Sequence, residues 1–169
     1  MKAVIINEHG SKDVLKYVED FPKPEIRENE VLLRVGATSL NRIDTVVRKG
    51  YPGLQIPMPH ILGGDIAGTI VEMGPNVEDF SIGDRVVVYP VCLPDVRDEK
   101  YEEMEQLNDG WQFFGMQRKG AYCEFIAIPA ENLYKLDDNV TFETAASMPI
   151  SGLTAYHAVY GVGGQYQTG

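Results

Sequence analysis

Few residues of this chain have the type and spacing that catalysis demands. The three histidines, His9, His60 and His157, fall at no interval that suits a metal pair or a catalytic dyad. The two cysteines, Cys92 and Cys123, are too few for a disulfide scaffold. Gly161-Val162-Gly163-Gly164 starts like a phosphate cradle, but Tyr166 stands where a dinucleotide fingerprint needs its third glycine. It reads as a flexible glycine-rich hinge. Residue type and spacing alone assign no chemistry to the polar stretch Asn41-Arg42-Ile43-Asp44, to Tyr51 before Pro52 or to Thr154 in a helical tail. Each has a plain structural reading: a helix cap, a surface arginine, a turn tyrosine and a threonine bonded back to its own helix.

The chain has 169 residues, 44% of them hydrophobic and 24% charged, a globular profile with room for one domain. Fifteen basic against 25 acidic residues give a net charge of −10, which is no electrostatic footprint for nucleic acid. Apolar runs such as Val86 to Tyr89 fall far short of the roughly 18 residues of a spanning helix, so no membrane partner is expected. The N-terminus has no long apolar region or small-residue cleavage site. A reducing cytoplasm is the expected location.

The elements that must position these side chains are mostly strands. Lys2 to Asn7, Glu30 to Ala37, Gly63 to Val71, Asp84 to Tyr89 and Gly120 to Pro129 have the apolar content or the alternation of strands. Turn signals such as Pro57-Met58-Pro59, Gly74-Pro75-Asn76 and Ile82-Gly83-Asp84 separate them and predict a closed, barrel-like core. Asn41 to Lys49 is predicted as a short helix. Pro94 to Asp109 carries seven acidic residues against Arg97 and Lys100, and reads as a solvated, partly helical lobe. Thr141 to Tyr160 is predicted to be helical in two pieces, with Thr141 as N-cap and Pro149 between the halves.

Gly63-Gly64-Asp65-Ile66-Ala67-Gly68, followed by Phe80-Ser81-Ile82-Gly83-Asp84-Arg85-Val86, resembles the medium-chain dehydrogenase/reductase family. Gly120-Ala121-Tyr122-Cys123-Glu124-Phe125, Ala145-Ala146-Ser147-Met148-Pro149 and Gly152-Leu153-Thr154-Ala155-Tyr156 resemble its later landmarks, so the likeness covers essentially the whole chain. The family holds zinc alcohol dehydrogenases and quinone oxidoreductases. The resemblance implies a mainly β, GroES-like, partly open barrel over residues 1–150, with an acidic lobe at 92–119. Residues 151–169 would begin the linker helix to a nucleotide-binding Rossmann domain, which is absent from this chain.

The resemblance also places the family's catalytic zinc ligands at Asn41, Gly64 and Ile150. An amide, a hydrogen and a sec-butyl group do not bind zinc, and Asp44 and Asp65 alone make a poor site. Ile43 replaces the proton-relay hydroxyl. In the family's second, four-cysteine zinc lobe, the spacing gives Cys92, Asp95, Asp98 and Gln106. A lobe packed around Trp111, Phe113 and Phe114 is expected instead. No metal is therefore expected at either place.

What the resemblance implies is a zinc-independent reductase of quinones or activated alkenes, small-molecule substrates that take hydride from NADPH. It gives Asn41 and Tyr51 catalytic contact with substrate, Arg42 the cofactor pyrophosphate and Thr154 the nicotinamide ring. The cofactor is reached through the missing domain, so the fragment alone is expected to be inactive, and the full-length protein to form dimers or tetramers. Two other readings stay open: an alcohol dehydrogenase relative with degenerate metal sites, and a non-catalytic GroES-like interaction domain.

Overall fold

The computed structural model describes residues 1–94 and 110–162. Ten strands and three α-helices follow one another along the described chain. Five strands form the main antiparallel sheet. Their order is β10 (Leu133–Lys135), β6 (Arg85–Val88), β5 (Asp65–Met73), β3 (Glu30–Ser39) and β9 (Phe125–Pro129). Alternation explains the register: Val86 and Val88 of β6, and Ile126 and Ile128 of β9, all turn into one core with Val31, Leu33, Ile66 and Ile70. A smaller sheet orders β2 (Lys16–Val18), β1 (Ala3–Ile6) and β4 (His60–Ile61), and β7 (Val91–Cys92) pairs with β8 (Gln112–Phe113).

The predicted strand at Gly120 to Pro129 is ladder only from Phe125 onward. Its first half runs between the two sheets. Gly120 N–H donates to Ile61 O at 2.7 Å, Tyr122 N–H to Leu62 O at 3.0 Å, and Val4 N–H to Tyr122 O at 2.7 Å. Tyr122 is thereby held beside the β4–β5 junction.

The pairing of β3 with β5 positions the site. It is broken by register shifts between Leu32 and Leu33 and between Val35 and Ala37, after which Ser39 comes opposite Asp65. Gly36 lies in the second shift, and a Cβ there would sit 2.4 Å from the Phe142 ring. That clearance seats α2 (Phe142–Ala146) on the sheet, with Ala145 and Ala146 packed on Ala67. Thr141 caps α2 as predicted, accepting from Thr144 N–H at 3.2 Å. Pro149 then opens α3 (Pro149–Tyr156), and the chain continues as a π-helical turn over His157–Val162. The remaining helix, α1 (Arg42–Lys49), follows β3 directly.

The expected packing of a separate lobe is only partly seen. Phe114 is 1% exposed and belongs to the main core, whereas Trp111 and Phe113 are half-buried. Asp95, Asp98 and Gln106 lie outside the described residues.

Candidate active site

Asp65 opens β5 at the edge of an apolar run and is 1% exposed. Oδ2 accepts from Asn41 Nδ2 at 2.7 Å and from the Ser39 hydroxyl. Oδ1 accepts the backbone N–H of Ile150 at 2.8 Å. Ile150 is the second residue of α3, so this N–H is one of the first-turn donors that a helix leaves unpaired, at its positive end. Hydrogen bonds to a charged group contribute about 1.5–3 kcal/mol each. Three of them offset a desolvation cost of several kcal/mol for a buried carboxylate.

Asp44 forms the companion centre in the first turn of α1. It is 5% exposed and accepts from Asn41 N–H at 2.7 Å, Tyr122 O–H at 2.9 Å and Gly63 N–H at 3.2 Å. Asn41 is thus gripped twice, by Asp44 at its backbone and by Asp65 at its side chain. It occupies the N-cap position of α1 in a capping box with Asp44, and its Nδ2 is turned towards Asp65. Burial first, and then the charge of Asp44, push the Tyr122 phenol above its ordinary value, so it remains a donor.

The three positions where the resemblance implies zinc ligands therefore meet around Asp65. A Cβ on Gly64 would lie 2.7 Å from Phe113 Cε1, 2.9 Å from Ile150 Cδ1 and 3.0 Å from Phe114 O, so the space of an imidazole is already filled. These side chains do not fit zinc, and among the described residues no three of His, Cys, Asp or Glu gather closely enough to hold a metal. Cys92 is buried and takes Arg118 Nη1 at 3.4 Å, and burial pushes its thiol up. The Cys123 thiol is pushed up to about 12, again by burial, so neither cysteine is a ready thiolate.

The other predicted residues stand outside this network. Tyr51 follows α1 and is 48% exposed, with no partner for its hydroxyl among the described residues. Arg42 is exposed at the first position of α1, and Thr154 is exposed on α3. The sequence reading named Asp65 only as a stray carboxylate, and missed Ser39 as its partner and Tyr122 as the partner of Asp44. The available signal was an ionisable residue embedded in the apolar start of a strand.

The model of the alcohol dehydrogenase GroES-like domain matches residues 27–138, more than half of the chain. The chain belongs to this family. The GroES-like domain is 32% identical to an NAD(P)H oxidoreductase RTN4IP1, mitochondrial, of Dictyostelium discoideum over 167 residues, which is 96% of this chain and 41% of that protein. It is 31% identical to an NADPH-dependent alkenal/one oxidoreductase, chloroplastic, of Arabidopsis thaliana, covering 92% of this chain and 36% of the relative. Among solved structures, an NAD-dependent alcohol dehydrogenase superposes with a TM-score of 0.87 at 37% identity, covering 94% of this chain and 46% of the other. The GroES-like domain thus spans about two fifths of the length of these curated relatives. The relatives are oxidoreductases of the medium-chain family, and the mainly β architecture is theirs.

Proposed function

We propose that this domain serves a zinc-independent, NADPH-dependent reductase that delivers hydride to quinones or activated alkenes. The observation that carries the reading is the Asp65 centre. Where zinc ligands would gather, a carboxylate is satisfied by an amide, a hydroxyl and a helix N–H. The likeness to an NADPH-dependent alkenal/one oxidoreductase supports it.

Hydride added to a conjugated carbon moves charge onto an oxygen where it is delocalised, and hydrogen-bond donors suffice to stabilise it. The hydroxyl of Tyr51, without a partner among the described residues, is the donor offered to that oxygen, and Asn41 supplies the polar wall. Arg42 and Thr154, exposed on two helices, are assigned to the pyrophosphate and the nicotinamide ring. The bound cofactor supplies the hydride. The catalytic unit is taken as residues 1–150, with 151–169 leading to a nucleotide-binding half, without which the domain is inactive.

NADPH oxidation by the full-length protein, with a quinone and an enone, tests this. Turnover unchanged by a chelator is expected. No turnover with any acceptor overturns the reading, and so does turnover lost to chelator and restored by zinc.

A further inference from the structure

Acidic residues outnumber basic ones by 25 to 15 in this chain, yet one groove gathers three cationic side chains and, among the described residues, no carboxylate. It encloses about 490 Å³ between residues 21–24, residues 118–120 and β9, a volume suited to a small molecule. Phe21, Phe125 and Ile126 supply apolar wall. Each cation lies over a phenylalanine ring: Lys23 Nζ is 5.0 Å from the Phe125 centroid, Lys119 Nζ 5.1 Å from that of Phe21, and Arg118 Cζ 5.3 Å from that of Phe114. Ring faces attract cations, so positive charge is held directly beside apolar surface. None of Asn41, Arg42, Tyr51, Asp65 and Thr154 lines this groove, which is therefore separate from the site described above.

The three cations are not equivalent. Lys23 Nζ donates to Glu72 Oε1 at 2.5 Å, and Arg118 donates from Nη2 to Glu30 Oε1 at 3.0 Å and from Nη1 to Cys92 Sγ at 3.4 Å. Lys119 is exposed, and its ammonium has neither a hydrogen bond nor an ion pair among the described residues. Its backbone is nonetheless fixed. Gly120 N–H donates to Ile61 O at 2.7 Å, and a Cβ at Gly120 would fall 2.2 Å from Gly63 O, so only glycine lets the chain press this closely onto the β4–β5 junction. We propose that the groove is a second ligand site, which takes a small carboxylate with an aromatic body, its charge on Lys119 and its rings against Phe21 and Phe125. The one unpaired cation matches a single negative charge, and the apolar wall requires a body of that kind attached to it. The proposal does not rest on the reductase reading.

The test is calorimetric binding of 2-naphthoate, and of its uncharged isostere 2-naphthamide, to the full-length protein at low salt. Wild type is expected to bind the acid at least about fivefold more tightly than the amide, a ratio that one exposed ion pair can supply. The preference should shrink as salt is added. Lys119→Met keeps the apolar stem, removes the charge and, at an exposed position, leaves the fold intact. It is expected to bring the two ligands to equal affinity, whereas Lys12→Met, at an exposed lysine outside the groove, should keep the wild-type ratio. Saturating NADPH should leave 2-naphthoate binding unchanged. No binding, equal affinities in wild type, or a preference that survives in Lys119→Met overturns the proposal. Displacement of 2-naphthoate by NADPH overturns it too, because the ligand then sits in the cofactor site. Absence of NADPH oxidation overturns the reductase reading alone and leaves this binding preference standing.

Discussion

Tyr122 donates its phenolic proton to Asp44 Oδ2 at 2.9 Å, joining residues 78 positions apart. One partner comes from the segment that links the two sheets, the other from the first turn of α1. The bond therefore fixes the helix that carries Asn41 and Arg42 against the β4–β5 junction. Tyr122→Phe leaves the buried carboxylate, among the described residues, with only the N–H donors of Asn41 and Gly63. The expected cost is about 1–3 kcal/mol, read as a fall in Tm of about 2–4 °C per kcal/mol.

The same bond predicts the alkaline limb of stability. The Tyr122 phenol is raised in the fold, first by burial and then by Asp44, while in the unfolded chain it ionises near the ordinary value of about 10. A group raised in the folded state contributes its stability fully below the unfolded value, and loses it as pH rises towards the folded one. Tm should therefore decline above about pH 10, and more steeply in wild type than in Tyr122→Phe. Equal slopes in the two proteins would exclude Tyr122 as the source.

The acid limb belongs to His60. It is 1% exposed with no partner for Nε2 among the described residues, and burial holds its pKa below the ordinary value, with smaller contributions from Lys119 and His9. A depressed histidine stays neutral in the fold and takes up its proton on unfolding. Its contribution is complete above the unfolded value of about 6.5 and is lost as pH falls below it. Denaturation midpoints between pH 8 and 5 should fall in wild type, and by less in His60→Leu.

Much of this architecture was legible in the sequence, and the part that was not has a definite cause. Val86 and Val88, or Ile126 and Ile128, announce their strands through period-two burial. Thr141 and Pro149 mark the starts of α2 and α3 by local chemistry. The predicted start of β9 is too early because Gly120 to Glu124 bends and hydrogen-bonds across two sheets. That is a tertiary fact without local periodicity. The site was half legible for a related reason. Asn41 stands out beside Arg42 and Asp44, whereas its orientation is set by Asp65, Ser39 and the Ile150 N–H, which meet only after a shifted strand register and a helix seating.

Arg42 is the residue whose loss separates cofactor binding from chemistry in the proposed reductase. A guanidinium on a pyrophosphate makes charge-assisted hydrogen bonds worth about 1.5–3 kcal/mol each. Arg42→Ala should raise KM for NADPH roughly ten- to a hundredfold with little change in kcat, and Tm should hold because the side chain is exposed. Tyr51→Phe should do the opposite. It lowers kcat by up to about 10²-fold with KM for NADPH unchanged. If both variants move the same parameter, the assignment of the two residues to different ligands fails.

Gly64 gives the sharpest test of whether the zinc reading has any hold on this chain. If the position merely lost a histidine, the Asn41→Cys, Gly64→His, Ile150→Cys combination would restore a three-ligand set. The packing opposes that outcome, because a Cβ at Gly64 already falls within 2.7 Å of Phe113 and 3.0 Å of the Phe114 carbonyl. Even Gly64→Ala must push an aromatic ring and the α3 side chain of Ile150 aside, a strain of about 1–3 kcal/mol. The triple variant removes the amide that donates to Asp65 as well. Calorimetric titration with zinc should show no stoichiometric site in it, and Gly64→Ala alone should melt several degrees below wild type. Stoichiometric zinc binding with an unchanged Tm would mean that the Asp65 cluster yields to a metal and has not replaced one.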